Sequence, residues 1–183
     1  MRLKNGNKAK DFEVSDIYDK SIKLADYKGK YLLLSFYRYA SCPFCNLRIH
    51  RLIEIYEDLQ SKGLEMAAFF QSPKESIMQY AGEQSAPFPI IPDPERNIYR
   101  EYGIESSWSG MLKSMIFRLN DGFGAIRKGF LPGKMEGVKA LIPADFLISP
   151  DQIIHKAYYG KDIGDHIPVD DIYKWLKNNR VIL

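Results

Sequence analysis

The hydrophobic and polar residues of this chain fall into short blocks whose period changes along the sequence. Tyr31 to Tyr37 is an apolar run rich in aromatic residues, which is typical of a strand buried on both faces. From Asn46 to Lys62 the apolar residues recur at helical spacing, at Ile49, Leu52, Ile53, Tyr56 and Leu59. Leu64 to Gln71 is again continuously apolar. Together the three blocks predict a strand, a crossover helix and a second, parallel strand.

Weaker patterns on both sides of this unit predict the other elements. Alternating runs predict hairpins, and helical spacing predicts three more helices. The predicted elements are an N-terminal hairpin of Phe12 to Val14 and Ser21 to Leu24, helices at Lys74 to Glu83, Glu95 to Tyr102 and Asp170 to Asn179, a proline-bounded strand within residues 86–94, and a terminal hairpin of Ala144 to Ile148 and Ile153 to Tyr159. We therefore expect one α/β domain spanning residues 1–183.

Residues 106–141 do not follow this alternation and are long for a connection in a compact domain. Their first part carries apolar residues at helical spacing, and their second part is rich in glycine. We predict an insertion with its own helix, which covers a functional site, forms a subunit contact or extends the core. Arg118 and Arg127 lie in this insertion and are candidates to approach such a site.

Composition narrows the function classes without selecting one. The net charge is +3, and basic residues are interspersed with acidic ones, which argues against nucleic acid or a membrane surface as a partner. No apolar run approaches the length of a bilayer span, and Met1 to Lys8 is too polar for a signal peptide. We expect a cytoplasmic protein, and a total of only two cysteines fits a reducing compartment.

Both cysteines lie where the first strand gives way to the helix, separated by Pro43 and Phe44. Pro43 suits the first turn of a helix, so Cys42 is expected at the helix start with its sulfur pointing out of the helix end. Free backbone N–H groups and the helix dipole favour a thiolate there. Cys45 lies one turn further, in phase with the apolar stripe, so we expect it to face the core and keep a higher pKa.

This asymmetry predicts thiol redox chemistry. Cys42 would attack a disulfide or a hydroperoxide, and Cys45 would resolve the resulting mixed disulfide or sulfenic acid. Arg38, at the end of the strand, would add a fixed positive charge near the first sulfur. Asp145 and Glu54 are the candidates for proton transfer to Cys45.

Two other interpretations of the cysteine pair remain open: half of a zinc site, or inert packing. A closed zinc site needs four ligands, and His50, His155 and His166 stand at no recognisable finger spacing. We interpret the three histidines as ordinary surface, strand and loop residues, because a helix-activated thiolate needs no separate base. No metal and no cofactor is expected.

Three stretches carry a resemblance to a known group of proteins: Tyr31 to Tyr37, Arg38 with Cys42-Pro-Phe-Cys45, and Ile142 to Lys156. They resemble the thioredoxin-fold superfamily and, within it, the peroxiredoxin-like CxxC members of the alkyl hydroperoxide reductase and thiol-specific antioxidant (AhpC/TSA) group. The resemblance covers most of the chain apart from residues 106–141. It implies a thioredoxin-like fold with a central mixed sheet flanked by helices, antioxidant chemistry, and an external thiol reductant such as a thioredoxin-type protein.

The same resemblance makes two statements about single positions. It implies that Pro143 is the cis proline that stands opposite the reactive cysteine, in a bond that is otherwise uncommon. The chain also departs from typical peroxiredoxins, which have a threonine or serine three residues before the reactive cysteine and a proline seven before it. Here these positions are Tyr39 and Ser35.

Our leading hypothesis is a thiol-dependent redox enzyme that reduces disulfides or hydroperoxides through Cys42 and Cys45. The rival is a non-catalytic redox-sensing or partner-binding module on the same scaffold, and a homodimer is open in either case. The two hypotheses differ in geometry. The enzyme predicts an exposed Cys42 sulfur near Pro143, whereas a deeply buried or remote pair favours the scaffold.

Overall fold

The computed structural model describes residues 1–107 and 124–179. Within these ranges the strands and α-helices are β1 Glu13–Ser15, β2 Ser21–Lys23, β3 Tyr31–Phe36, α1 Pro43–Ser61, β4 Leu64–Phe70, α2 Lys74–Met78, β5 Ile90–Pro92, α3 Asn97–Glu101, β6 Ala144–Ile148, β7 Ile154–Tyr159 and α4 Val169–Asn179. Short 3-10 turns occupy Leu24–Tyr27 and Gly82–Gln84, and residues 124–127 form one further helical turn. None of the helices in the described ranges is long and apolar enough to cross a membrane.

A five-stranded mixed sheet, in the order β5-β4-β3-β6-β7, forms the centre of the fold. β3, β4 and β5 are parallel, and β6 and β7 run antiparallel to their neighbours. The predicted βαβ unit is present with α1 as its crossover, and β1 pairs with β2 in a separate hairpin. The predicted fold class, an α/β fold with a central mixed sheet flanked by helices and an N-terminal hairpin, is confirmed.

Alternation along the strands gives the sheet two different faces. Leu33 of β3 and Leu147 of β6 pack with α1, and the paired residues Ser35 and Asp145 lie on this same α1 face by their position in the strands. The other side, which we call the aromatic face, buries Phe12, Phe36, Phe69, Tyr99, Tyr102 and Phe146. The cysteines belong to the α1 face.

The predicted helix from Lys74 to Glu83 is wrong in its extent. α2 ends at Met78 and is followed by the separate turn at Gly82–Gln84. Glycine is a poor helix former, and an added Cβ at Gly82 would lie 3.2 Å from the carbonyl oxygen of Ile77. The chain turns at residues 79–81, and the missing side chain of Gly82 permits its close approach to Ile77.

The predicted insertion leaves and returns through a bridge between Ser106 and Leu141. Its predicted helix, with the apolar residues from Trp108 to Leu119 and with Arg118, lies outside the described residues. Residues 129–139, which we call the roof segment, have no regular secondary structure and are mostly exposed on their outer side.

Pro143 does not have the predicted cis peptide bond. The bond that precedes it is trans. Ile142 donates its N–H to the carbonyl of Glu105, and Gly160 donates its N–H to the carbonyl of Pro143. The residues directly before β6 thus have backbone partners on both sides, with the ordinary trans isomer at Pro143.

Candidate active site

Cys42 lies where the connection from β3 enters α1. Cys42 is the N-cap residue and Pro43 is the first helical residue, as the sequence predicts. The buried Asn46 amide donates to the carbonyl oxygens of Ala40 at 2.7 Å and Cys42 at 3.0 Å, and the Ala40 N–H donates to Ser72 Oγ at 2.9 Å. These side chains hold the entry to the helix and so place the first sulfur.

Arg38 lies beside the first sulfur, which is the position predicted for it. Its Nη1 is 3.6 Å from Cys42 Sγ, and its side chain is buried. The guanidinium also lies 4.8 Å from the centre of the Tyr39 ring, a cation–π contact. Burial raises the pKa of Tyr39 to about 12, so this side chain remains a neutral phenol.

Both cysteines are free thiols and both are fully buried. Burial of Cys45 agrees with the predicted apolar stripe of α1, which includes Ile49, Leu52 and Tyr56 in the same core cluster. Burial of Cys42 contradicts the predicted exposed sulfur at the helix end. The sequence pattern of α1 describes only the helix itself, whereas Cys42 is covered by segments that are distant in sequence.

The two thiols differ in acidity. Burial would raise the pKa of Cys42, but hydrogen bonding from Cys45 and the charge of Arg38 overcome this effect and lower the pKa to about 6. For Cys45, burial and the neighbouring Cys42 both raise the pKa well above the ordinary value of a thiol. At neutral pH this arrangement holds a thiolate at Cys42 and a thiol at Cys45, which is the division of roles that disulfide chemistry needs.

The roof segment covers the start of α1. Two glycines allow its close approach: an added Cβ at Gly133 would overlap the Tyr80 hydroxyl, and one at Gly137, where φ is +62°, would lie 2.6 Å from Gln71 Oε1. Hydrogen bonds between the roof segment and the rest of the chain include Ser41 Oγ to Lys134 O at 2.6 Å, Gln71 Nε2 to Val138 O at 2.9 Å, Val138 N to Gln71 Oε1 at 2.9 Å, Ser76 Oγ to Glu136 Oε1 at 2.7 Å, and Arg38 Nη2 to Lys139 O.

A buried contact between a carboxylate and an imidazole, which the sequence analysis did not assign, lies deeper on the α1 face. His166 Nδ1 is 3.1 Å from both carboxylate oxygens of Asp145, and the Ile167 N–H donates to Asp145 Oδ2 at 2.7 Å. Burial opposes the charge, but His166 and Arg48 lower the pKa of Asp145 to about 2. The one sequence signal for this pair is a carboxylate within an otherwise apolar strand.

His166 is therefore not the ordinary loop residue that the sequence analysis expects. Its ring lies 4.8 Å from the ring of the buried Tyr37, which follows β3. Histidine in a connecting segment gives no periodic signal, so only tertiary structure brings it to Asp145. No distance in the structure places Asp145 against Cys45, and its role in proton transfer stays a prediction.

The remaining candidates lie away from the sulfurs. His50 is half-buried between Glu54, at 3.5 Å, and the ring of Phe130, at 5.8 Å. His155 packs on Trp175 with ring centres 5.5 Å apart. Arg127 is exposed. In the part of the chain that the structure describes, no three His, Cys, Asp or Glu side chains come together as a metal site would require.

The family comparison agrees with the observed arrangement. A profile of the AhpC/TSA family matches residues 5–157. A Mycobacterium tuberculosis protein named as a peroxiredoxin is 28% identical over 102 residues, which are 56% of this chain and 65% of that protein. The chain thus spans slightly less than two thirds of the length of this relative.

Two further similarities concern the thiol chemistry and the fold. The thiol-disulfide oxidoreductase ResA of Geobacillus thermodenitrificans is 30% identical over 100 residues, 54% of this chain and 57% of ResA. The crystal structure of the peroxidoxin BcpB from Mycobacterium tuberculosis superposes with a TM-score of 0.70 at 15% identity, covering 98% of this chain and all of BcpB. This overlap confirms the predicted thioredoxin-like fold.

Proposed function

Because the chain belongs to the AhpC/TSA family, we propose that it is a thiol-dependent peroxidase in which Cys42 is the attacking and Cys45 the resolving residue. The observation that carries the proposal is the buried Cys42 thiol with a pKa of about 6, 3.6 Å from the Arg38 guanidinium. A lowered pKa supplies the thiolate at neutral pH, and the thiolate is the nucleophile in both disulfide exchange and peroxide reduction.

The proposed cycle converts a hydroperoxide and two external thiol groups into an alcohol, water and a disulfide. The Cys42 thiolate attacks the terminal oxygen of a hydroperoxide, the O–O bond breaks, and the leaving alkoxide takes a proton to become an alcohol. The Cys42 sulfenic acid then condenses with the Cys45 thiol, which releases water and forms the Cys42–Cys45 disulfide. An external thiol donor returns two electrons and two protons by thiol–disulfide exchange.

Arg38 has two effects in this scheme. Its charge stabilises the Cys42 thiolate, and its bond to the Lys139 carbonyl ties the roof segment to the same guanidinium. Pro143 is buried directly before the start of β6, and we retain it as a contact residue of the reacting groups, without the cis bond. The catalytic roles of all four predicted residues, Arg38, Cys42, Cys45 and Pro143, belong to the proposal.

Burial of Cys42 favours a hydroperoxide over a protein disulfide as the oxidised substrate. A small peroxide can reach the Cys42 sulfur through a local opening of the roof segment. A protein disulfide can reach it only if the segments that cover the sulfur move away. The roof segment is suited to local opening because it has no regular secondary structure and is mostly exposed. Burial by such a segment is therefore compatible with an enzyme, and the non-catalytic scaffold is not favoured.

Reduction of a protein disulfide is the second candidate. Its support is the placement of both cysteines within one turn of α1, together with the similarity to a thiol-disulfide oxidoreductase. The reductant of the cycle is proposed to be an external thiol, with a thioredoxin-type protein as one source. A cytoplasmic location, a single domain over residues 1–183 and a homodimer remain parts of the proposal that rest on the sequence.

The test compares two substrates and two cysteine variants. Wild-type protein with dithiothreitol as reductant is expected to consume hydrogen peroxide and cumene hydroperoxide faster than it reduces insulin disulfides. Cys42→Ser should lower peroxide turnover by at least about 10³-fold, because it removes the nucleophile and with it the covalent route. Cys45→Ser should still form one equivalent of sulfenic acid, which dimedone traps.

The outcomes separate the candidates. Faster reduction of insulin than of peroxide would select the disulfide reaction. Failure of the wild-type protein to turn over either substrate would refute both reactions and favour the non-catalytic scaffold. Trapping of sulfenic acid on Cys42→Ser instead of Cys45→Ser would reverse the assigned roles of the two cysteines.

A further inference from the structure

Tyr39 is a buried phenol beside the cysteine turn, and the proposed cycle does not use it. It lies in the connection from β3 to α1, and only 7% of its surface is exposed. Its carbonyl oxygen accepts the Cys42 N–H at 3.0 Å, so the backbone makes a tight turn between the two residues. This turn holds the phenol and the reactive sulfur at the same end of α1.

The Arg38 guanidinium lies against both the phenol and the sulfur. Its Cζ is 4.8 Å from the centre of the Tyr39 ring, and its Nη1 is 3.6 Å from Cys42 Sγ. Burial and the nearby Cys42 raise the pKa of Tyr39 to about 12, while the charge of Arg38 and its hydrogen bond to the phenol limit this rise. The three side chains therefore form one contiguous group.

The phenol of this group has a proton to donate. A guanidinium contains donors only, so the Tyr39 oxygen accepts from Arg38 and its own O–H is left for another acceptor. Two neighbouring donors already have acceptors. Ser41 Oγ donates to a carbonyl of the roof segment at 2.6 Å, and the Asn46 amide donates to two backbone carbonyls at the start of α1.

Reduction of a hydroperoxide at Cys42 requires such a donor. When the thiolate attacks the terminal oxygen, the leaving oxygen lies one bond further from the sulfur and takes the electron pair of the O–O bond. An alkoxide left unprotonated in this buried site would be strongly disfavoured. Arg38 does not release its proton, and the Cys45 thiol is used in the following step.

We propose that Tyr39 is the general acid of peroxide reduction, and that its hydroxyl donates a proton to the leaving oxygen as the O–O bond breaks. This inference rests on the proposed function and assigns the source of a proton that the cycle consumes. The terminal oxygen keeps its hydrogen and becomes the hydroxyl of the Cys42 sulfenic acid, and the leaving oxygen becomes an alcohol. The negative charge passes from the sulfur to the phenolate, so it stays beside Arg38 until solvent returns a proton to Tyr39.

Oxidants with different leaving groups test this assignment. Ethyl hydroperoxide releases ethoxide, a strong base that needs a proton, whereas peracetic acid releases acetate, which does not. Tyr39→Phe keeps the ring and removes the hydroxyl. It should slow oxidation of Cys42 by ethyl hydroperoxide about 100-fold, the lower end of what a general acid contributes, and leave oxidation by peracetic acid within about twofold of the wild-type rate. Loss of the thiolate ultraviolet absorbance in stopped flow measures both rates.

Tyr27→Phe is the matched control. Tyr27 is also a buried phenol, 8% exposed, but it packs with the residues of the aromatic face. Loss of its hydroxyl should leave both rates unchanged. In Tyr39→Phe the pH midpoint of thiolate formation at Cys42 should stay near 6, and the rates are compared above this midpoint, where the nucleophile is formed in all three proteins.

The remaining outcomes would overturn the assignment. An equal loss with both oxidants would show that the phenol positions the sulfur or the oxidant and does not donate the proton. Unchanged rates with both oxidants would show that the proton comes from elsewhere. Failure of the wild-type protein to react with either oxidant would refute the proposed function itself, and that result is separate because it precedes any substitution at Tyr39.

Discussion

The two faces of the central sheet are formed by the same strands but bury different kinds of side chain. On the aromatic face, Phe36 packs on Phe69, Tyr99, Tyr102 and Phe146 with ring centres 5.0 to 5.8 Å apart. On the α1 face, the neighbours of Phe36 in sequence are Ser35 and Tyr37, and this side holds the buried thiols, Arg38 and the Asp145–His166 pair. One face is dominated by aromatic packing, and the other carries the buried thiols, the guanidinium and the carboxylate.

This difference shows how a small fold can carry reactive groups in its interior. Buried ionisable groups contribute little net stability and often oppose folding, because their desolvation is unfavourable. Aromatic packing on the opposite face supplies burial of large apolar surfaces without that penalty. We therefore expect substitutions on the aromatic face to change stability and substitutions on the α1 face to change acidity and reactivity.

The largest effect is expected for Phe36→Ala on the aromatic face. Loss of this ring should lower the free energy of unfolding by about 3–5 kcal/mol, since it leaves a cavity among four other aromatic rings. Urea denaturation measures the change. The pH midpoint of thiolate formation at Cys42, followed by ultraviolet absorbance, should stay near 6 while the protein is folded. A shifted midpoint would mean that the two faces are coupled.

Arg38→Met should change acidity more than stability. Removal of an opposite charge this close to the sulfur should raise the pKa of Cys42 from about 6 by about 1 to 3 pH units. The same thiolate titration measures it, with Arg100→Met as the control for loss of a distant charge. Arg38→Lys keeps the charge and should stay close to the wild-type value. An unchanged midpoint in Arg38→Met would show that Cys45 alone lowers the pKa.

Asp145 should make the stability depend on acid. Its pKa is lowered to about 2, so its contribution is fully present above the ordinary carboxyl pKa and is lost as the pH falls through about 2. The contribution at neutral pH is about 2 kcal/mol by linkage. Urea denaturation of the wild type between pH 2 and pH 5, at steps of about one pH unit, should show the free energy of unfolding falling as the pH falls. In Asp145→Asn this pH dependence should be weaker. A variant with the full wild-type pH dependence would show that another group causes it.

The smallest effect is expected at the roof segment. Gly133→Ala places a methyl group against the Tyr80 hydroxyl and 3.0 Å from Ser41 Cβ, so it should favour the open state. A change of about 1 kcal/mol in this local equilibrium would speed alkylation of Cys42 about fivefold. Gly124→Ala, where an added Cβ meets nothing within 4 Å, is the matched control. Equal alkylation rates in both variants would show that the roof segment does not limit access.

The fold follows from local patterns to a large extent. β3, α1 and β4 are predicted to within a few residues, because a strand buried on both faces and an amphipathic helix each leave a strong periodic signal. α2 is predicted too long, because the chain turns at residues 79–81 and brings Gly82 close to the Ile77 carbonyl, a contact that leaves no periodic signal. Arg38 is placed beside Cys42 by the short connection between β3 and α1, which is also a local relation.

Besides the extent of α2 and the surroundings of His166, the structure overturns two predictions about the site, the exposed Cys42 and the cis Pro143. Exposure of a side chain depends on every segment that packs against it. Cys42 is buried, and its neighbour Ser41 is hydrogen-bonded to Lys134 of the roof segment, which is distant in sequence. The backbone next to Pro143 is held by hydrogen bonds from Ile142 to Glu105 and from Gly160 to Pro143. Neither relation has a periodic trace in the sequence.

The sequence by itself determined the spacing of the cysteines, the helix start between them and the family that they indicate, because these depend on residues within one turn or one motif. Only the tertiary structure decided the burial of the reactive sulfur and the pairing of His166 with Asp145. These features join residues more than 20 positions apart. Their energy comes from burial and electrostatics in the assembled fold, which no single segment contains.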